Sequence, residues 1–229
     1  MDQSRHKLFD SVLGGLLLIG MVVALYMAFL GAPREQTMGD LQRIFYFHVP
    51  SGMMGLAAFI VNCYASLMYL IKKDRKWDSL ALSAAEVGVV FFTIVLVTGP
   101  IWAKPVWFVW WTWSPRLTSS LVLWMLYLAY MLVRNYVPDP ERRAMMSAVF
   151  AIVAIVDAPI VFFSIRWWRD MHPSAMLETG GLSPAMWPAF LTCIAAFLIL
   201  LIYLIRRRYF LESARLEAER LARLADLAR

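Results

Sequence analysis

Apolar residues along this chain fall into six long runs, and most of the charge sits in the short segments between them. Each run approaches or exceeds the roughly 17–25 apolar residues that an α-helix needs to cross a bilayer's hydrocarbon core. The pattern predicts spans at 8–30, 49–71, 79–98, 117–133, 144–163 and 185–205. The fourth is the shortest, but it carries no charge until Arg134. The first is too long and uniform for a cleaved signal segment and is read as a permanent helix. The fold class expected is therefore all-α integral membrane, a six-transmembrane-helix bundle with an outer tryptophan-rich interfacial loop.

Beyond the sixth run the pattern changes. Leu211, Ala214, Ala218, Leu221, Ala225 and Ala228 recur at three- and four-residue spacing, and Arg215–Glu219 and Glu219–Arg223 are oppositely charged pairs one turn apart. The organisation expected is one membrane domain, 1–208, with its loop at 99–118, and a helical tail at 209–229 that continues the sixth helix on the inner side.

Composition sharpens the class. A chain of 229 residues that is 61% hydrophobic and 17% charged has more apolar surface than a soluble globule can hide. Charge then sets the orientation. With the N-terminus inside, the inner segments carry sixteen Lys and Arg and the outer segments six. Both termini are thus expected to be cytoplasmic. The net charge of +6 needs no nucleic acid to explain it, since cationic inner loops lie beside anionic lipid. Cys63 and Cys193 both fall inside spans, with no CxxC and no CxxCH, so they read as buried structural thiols.

The aromatic residues are unevenly placed. Seven of ten tryptophans, Trp102, Trp107, Trp110, Trp111, Trp113, Trp167 and Trp168, lie in outer segments, whereas an ordinary aromatic belt populates both interfaces. Five of them stand in one loop with Lys104 and Arg116 at its edges. Trp107, Trp110 and Trp111 follow i, i+3, i+4 spacing, so a short helix after Pro105 would place them on one face, turned to lipid or to a ligand. The cations favour a flat apolar ligand that carries carboxylates.

Of three histidines, His6 is expected in the cytoplasm. His48 and His172 occupy the outer ends of the second and fifth spans, at similar membrane depth. A single interfacial histidine is more often structural than a ligand, yet imidazole is a standard axial ligand of haem iron. No zinc cluster, Ser-His-Asp set or phosphate loop is present in the sequence. Glu86 and Asp157 are the acids expected within spans. Asp157, near Pro159, reads as a polar contact between helices, and Glu86 as a group affecting proton balance or an inner access route.

Three stretches, in this order, resemble a known family: R-I-F-Y-F-H-V-P at 43–50, V-T-G-P-I-W-A-K-P-V-W-F-V-W-W-T-W-S-P-R-L-T at 97–118, and P-I-V-F-F-S-I-R-W-W-R-D-M-H-P at 159–173. They resemble the WWD-domain haem-handling family of cytochrome c maturation, its CcmC branch in particular, over roughly 8–208. The resemblance implies that haem b is held by axial ligands His48 and His172 against a platform of Trp102, Trp107, Trp110, Trp111 and Trp113. Lys104 and Arg116 are the candidates for its propionates. It further implies delivery of haem to the membrane-tethered chaperone CcmE, beside CcmA, CcmB and CcmD, at the outer face of the cytoplasmic membrane. That step is a transfer or lyase-like handover rather than conventional catalysis. The chain departs from the family's pattern at Ser114, where an Asp is usual, and at Ala103 and Phe108, where glycines are common. The alternatives are a haem-free membrane subunit of an ABC-type transporter with the loop as a docking surface, and a haem-handling protein of the other cytochrome c assembly route. The latter usually has more spans and often a large outer domain.

Overall fold

The computed structural model describes residues 3–168 and 182–227, with side chains described from residue 7. Seven α-helices are present among these residues: α1 Gln3–Tyr26, α2 Phe45–Lys72, α3 Arg75–Trp107, α4 Pro115–Tyr136, α5 Pro140–Ala154, α6 Asp157–Trp167 and α7 Trp187–Leu227. They supply six segments long and apolar enough to cross a membrane, one for each apolar run, because α5 and α6 share the fifth. The protein is an all-α, multi-pass membrane protein.

Helix ends follow from local chemistry. Asp74 caps α3 by accepting from the Lys76 N–H, and the Lys76 ammonium beside it holds its carboxyl below the usual carboxylate range. Asp139 caps α5 in the same way, accepting from the Arg142 N–H at 2.7 Å, with Pro140 at the first helical position. Beyond α1 the chain forms a π-helical turn, Met27–Gly31, whose freed carbonyls are taken up from another segment. The Arg43 guanidinium donates to Ala28 O at 2.7 Å and to Ala32 O at 3.5 Å.

Two boundaries differ from the sequence expectation. The third span does not stop at 98. α3 continues through Pro100 and Pro105 to Trp107, which leaves only 108–114 as loop. A proline deletes one N–H and frees one carbonyl, a loss that a helix packed within a bundle tolerates. The fifth span, by contrast, is broken between Ala154 and Asp157. The Pro159 ring opposes the carbonyl of Ile155 four residues back, and that carbonyl instead accepts from Ala158 at 3.0 Å. Asp157 stands in the first turn of α6, where the helix dipole favours an acid. Its buried Oδ2 has no hydrogen-bond partner among the described residues, so the expected contact between helices is not made there at that atom.

Packing centres on α2 against α3. A side chain at Gly55 would meet the Phe92 ring, and one at Gly88 would meet the Phe59 ring, so the two helices interlock glycine to phenylalanine. Phe59 is itself stacked on Tyr127 of α4, with centroids 3.6 Å apart. α1 and the π-helical turn after it pack chiefly on α7, through Ala24, Ala28, Ala189 and Ala196. Cys193 lies buried in that seam with its Sγ 3.7 Å from Ala24 O, and neither cysteine is disulfide-bonded.

At 41 residues, α7 is about 60 Å long at 1.5 Å per residue, so the tail is a continuation of the sixth span. Ion pairs hold its stem to the bundle. Arg206 pairs with Asp10 of α1, and Arg208 with Glu86 of α3 and Glu212.

Candidate functional site

At the tryptophan-rich end of the bundle, α2, α3, α4, α6 and the 108–114 loop enclose a cavity of about 440 Å³, within the usual range for small-molecule sites. Helical periodicity decides which residues face it. From α2 come His48, Gly52 and Leu56, one turn apart, and from α3 Val95, Gly99, Trp102 and Ala103. α6 contributes Val161, Phe162, Ile165 and Arg166. The wall is largely apolar, and its only charged groups among the described residues are Arg116 and Arg166.

His48 is the fourth residue of α2, at the end of its first turn and two positions before Pro50. Its Nδ1 is 2.8 Å from Thr98 Oγ1 of α3, and its ring stands edge-on to Trp102 with centroids 5.9 Å apart. Thr98 Oγ1 also donates to Ile94 O at 2.7 Å.

The five loop tryptophans divide. Trp102 is helical and 4% exposed, packed edge-on against Phe45. Trp107 is the last residue of α3, where the helix ends because Phe108 turns left-handed at φ 64°, its N–H bonded to Lys104 O. The short helix expected after Pro105 is therefore not formed. Trp110 and Trp111 follow in irregular chain, yet the loop folds back and both line the cavity. The indole N–H groups of Trp102 and Trp111 are buried donors with no partner among the described residues. Trp113 stays off the wall, 75% exposed and edge-on to Trp111 at 5.9 Å.

The two expected cations also separate. Lys104 is exposed; its Nζ donates to Phe108 O at 3.2 Å and lies 5.8 Å over the Trp110 ring, off the cavity wall. Arg116 is on the wall in the first turn of α4, and its Nη1 donates to Val161 O at 3.4 Å. A cation there opposes the helix dipole. Arg166, in the last turn of α6, is a second guanidinium on the wall that sequence reasoning did not single out. The available signal was its place one turn from Phe162.

Ser114 is the N-cap of α4 with no side-chain cap bond, and its buried hydroxyl has no partner among the described residues. His172 lies outside the described residues. Glu86 is remote from the cavity. It is paired with Arg208 and lines a separate cavity of about 330 Å³ at the opposite, charged end, with Arg134, Arg143 and Glu212.

Among the described residues, one imidazole, two guanidiniums, buried indole donors and no carboxylate line the wall, a donor set that disfavours a hard cation held by oxygen. They suit a flat apolar ligand with an iron centre and acidic substituents.

Comparison with known proteins matches residues 4–223 to the family described as heme exporter protein C, a match that reaches into the tail. Among curated relatives, heme exporter protein C of Haemophilus influenzae is 31% identical over 208 residues, covering 90% of this chain and 84% of that protein. The Paracoccus denitrificans protein of the same name is 34% identical, covering 81% and 80%. The Bradyrhizobium diazoefficiens one is 35% identical, covering 71% of this chain and 62% of that protein.

Proposed function

The chain belongs to the heme exporter protein C family, and from that premise we propose that it binds haem b in the tryptophan-rich cavity and passes it to the chaperone CcmE for cytochrome c maturation. The observation that carries the proposal is the convergence of one imidazole, two guanidiniums and four indoles on a single, largely apolar cavity.

In this reading His48 and His172 would ligate the iron. Trp102, Trp107, Trp110 and Trp111 provide the apolar platform. Arg116 and Arg166 hold the propionates. Lys104 braces the loop beside Trp110, and exposed Trp113 meets the chaperone. Both imidazoles must be displaceable for handover, so the chaperone competes for the cargo. The excess of Lys and Arg in alternate connecting segments supports cytoplasmic termini and a site on the periplasmic face of the inner membrane. The partners are CcmE and the CcmA, CcmB and CcmD subunits.

The test is the visible spectrum of the purified protein, oxidised and reduced, beside His48→Ala and His172→Ala. A low-spin haem spectrum that is weakened or turned high-spin in each variant supports the proposal. A colourless parent after expression with ample haem and chaperone overturns it, in favour of a haem-free transporter subunit with the loop as its docking surface.

A further inference from the structure

His48 and Thr98 are fifty residues apart in sequence and 2.8 Å apart in the fold. The threonine hydroxyl has one proton and two lone pairs. The hydroxyl oxygen lies 2.7 Å from Ile94 O, a carbonyl that can only accept, so donation to it is the arrangement that satisfies both groups. With the proton so placed, Thr98 turns a lone pair towards the imidazole. A neutral imidazole has one N–H, and only a proton on Nδ1 completes this chain of hydrogen bonds. Nε2 is then left with its electron pair free. The opposite tautomer would set two lone pairs against each other, or pull the hydroxyl proton off Ile94 O.

The surroundings keep the ring in that pose. Trp102 stands edge-on to it, and a Cβ placed on Gly99 would lie only 3.5 Å from His48 Cε1, so the imidazole lies close along the α3 backbone. We propose that Thr98 is a positioning residue, which accepts from His48 Nδ1–H and so presents Nε2 as the electron-pair donor to iron in the cavity. The inference rests on the haem reading above. It adds a reason for the ligand's lability. A metal-bound histidine is often oriented by a carboxylate, which strengthens its donation to the metal. A neutral hydroxyl strengthens it less, as suits a ligand that must let its cargo go.

The test begins without haem. In the haem-free full-length protein with ¹⁵N-labelled histidine, the ring nitrogen shifts of His48, assigned with His48→Gln, report the tautomer directly. The expected result is an Nδ1–H ring in the parent and in Thr98→Ser, and a shift towards Nε2–H in the near-isosteric Thr98→Val. On loading with haem, Thr98→Val is expected to retain it about tenfold less well, with Thr98→Ser close to the parent. A parent ring protonated on Nε2, or a Thr98→Val ring unchanged from the parent with unchanged haem retention, overturns the proposal. If the haem-free shifts follow expectation while no form takes up haem, the tautomer assignment stands and the haem reading falls.

Discussion

Arg134 of α4 grips Asp78 of α3 through two parallel hydrogen bonds, Nη1 to Oδ1 at 2.6 Å and Nη2 to Oδ2 at 3.0 Å, with both side chains 7% exposed. The pair sits at the charged end of the bundle, and the Tyr130 hydroxyl approaches Arg134 at 3.4 Å. Arg134→Met strands a buried carboxylate, and a loss of about 3–5 kcal/mol is expected. Adding Asp78→Asn to it should recover most of that loss. Thermal unfolding of the two variants in detergent measures both effects, and equal losses would mean that the pair is not coupled.

Phe108 occupies a left-handed backbone position while its side chain is 81% exposed. Glycine adopts that conformation without the Cβ penalty, and little packing is lost with the ring. Phe108→Gly is therefore expected to stabilise the protein by about 1 kcal/mol, read as a raised midpoint in the same melts. A lowered midpoint would show that the exposed ring makes contacts that matter.

Gly88 and Gly15 should respond in opposite ways to alanine. A Cβ at Gly88 strikes Phe59, which is held from behind by Tyr127, so a loss of about 1–3 kcal/mol is expected. A Cβ at Gly15 meets nothing within 4 Å, and the helix should gain about 0.5–1 kcal/mol. The difference between the two melting midpoints is the measurement.

Within the proposed site, the two cations separate the sequence reading from the structural one. Arg116→Gln removes a guanidinium from the cavity wall, and haem retention should fall about tenfold or more, as for loss of a charged hydrogen bond. Lys104→Gln should leave retention within about threefold, because that side chain lies off the wall. Competition with a soluble haem-binding protein measures both, and equal losses would return Lys104 to the site.

Glu86 offers a parallel test at the charged end. Its partner Arg208 also binds Glu212, whose side chain is only 6% exposed. Glu86→Gln should change haem content little and stability by about 1 kcal/mol or less. Arg208→Ala should cost more, since it uncovers a buried acid. Lower haem content in Glu86→Gln at unchanged stability would favour the role in proton balance or inner access.

The six spans were legible in the sequence because bilayer thickness acts on run length, a local property that needs no knowledge of neighbours. The helical tail was legible for the same reason, since its periodicity is carried within one element. Prolines were not legible. Pro100 and Pro105 are passed by α3, whereas the helix breaks beside Pro159; each removes the same hydrogen bond, and only the surroundings decide whether the freed groups are satisfied.

The chemistry of the site divides along that line. Which residue types gather at one end of the bundle, with indoles, imidazole and guanidinium between apolar runs, could be read from order and spacing. Which of them share a cavity could not. Trp111 lines it and Trp113 does not, Arg116 and Arg166 line it and Lys104 does not. That choice depends on where α3 stops and how the loop folds back. The bond between His48 and Thr98 depends on how α2 lies against α3, through the meeting of Gly55 with Phe92 and Gly88 with Phe59. No local pattern records that packing. The sequence alone determined a membrane bundle with indoles, imidazole and guanidinium gathered at one end, and tertiary packing decided which side chains line the cavity and that His48 meets Thr98.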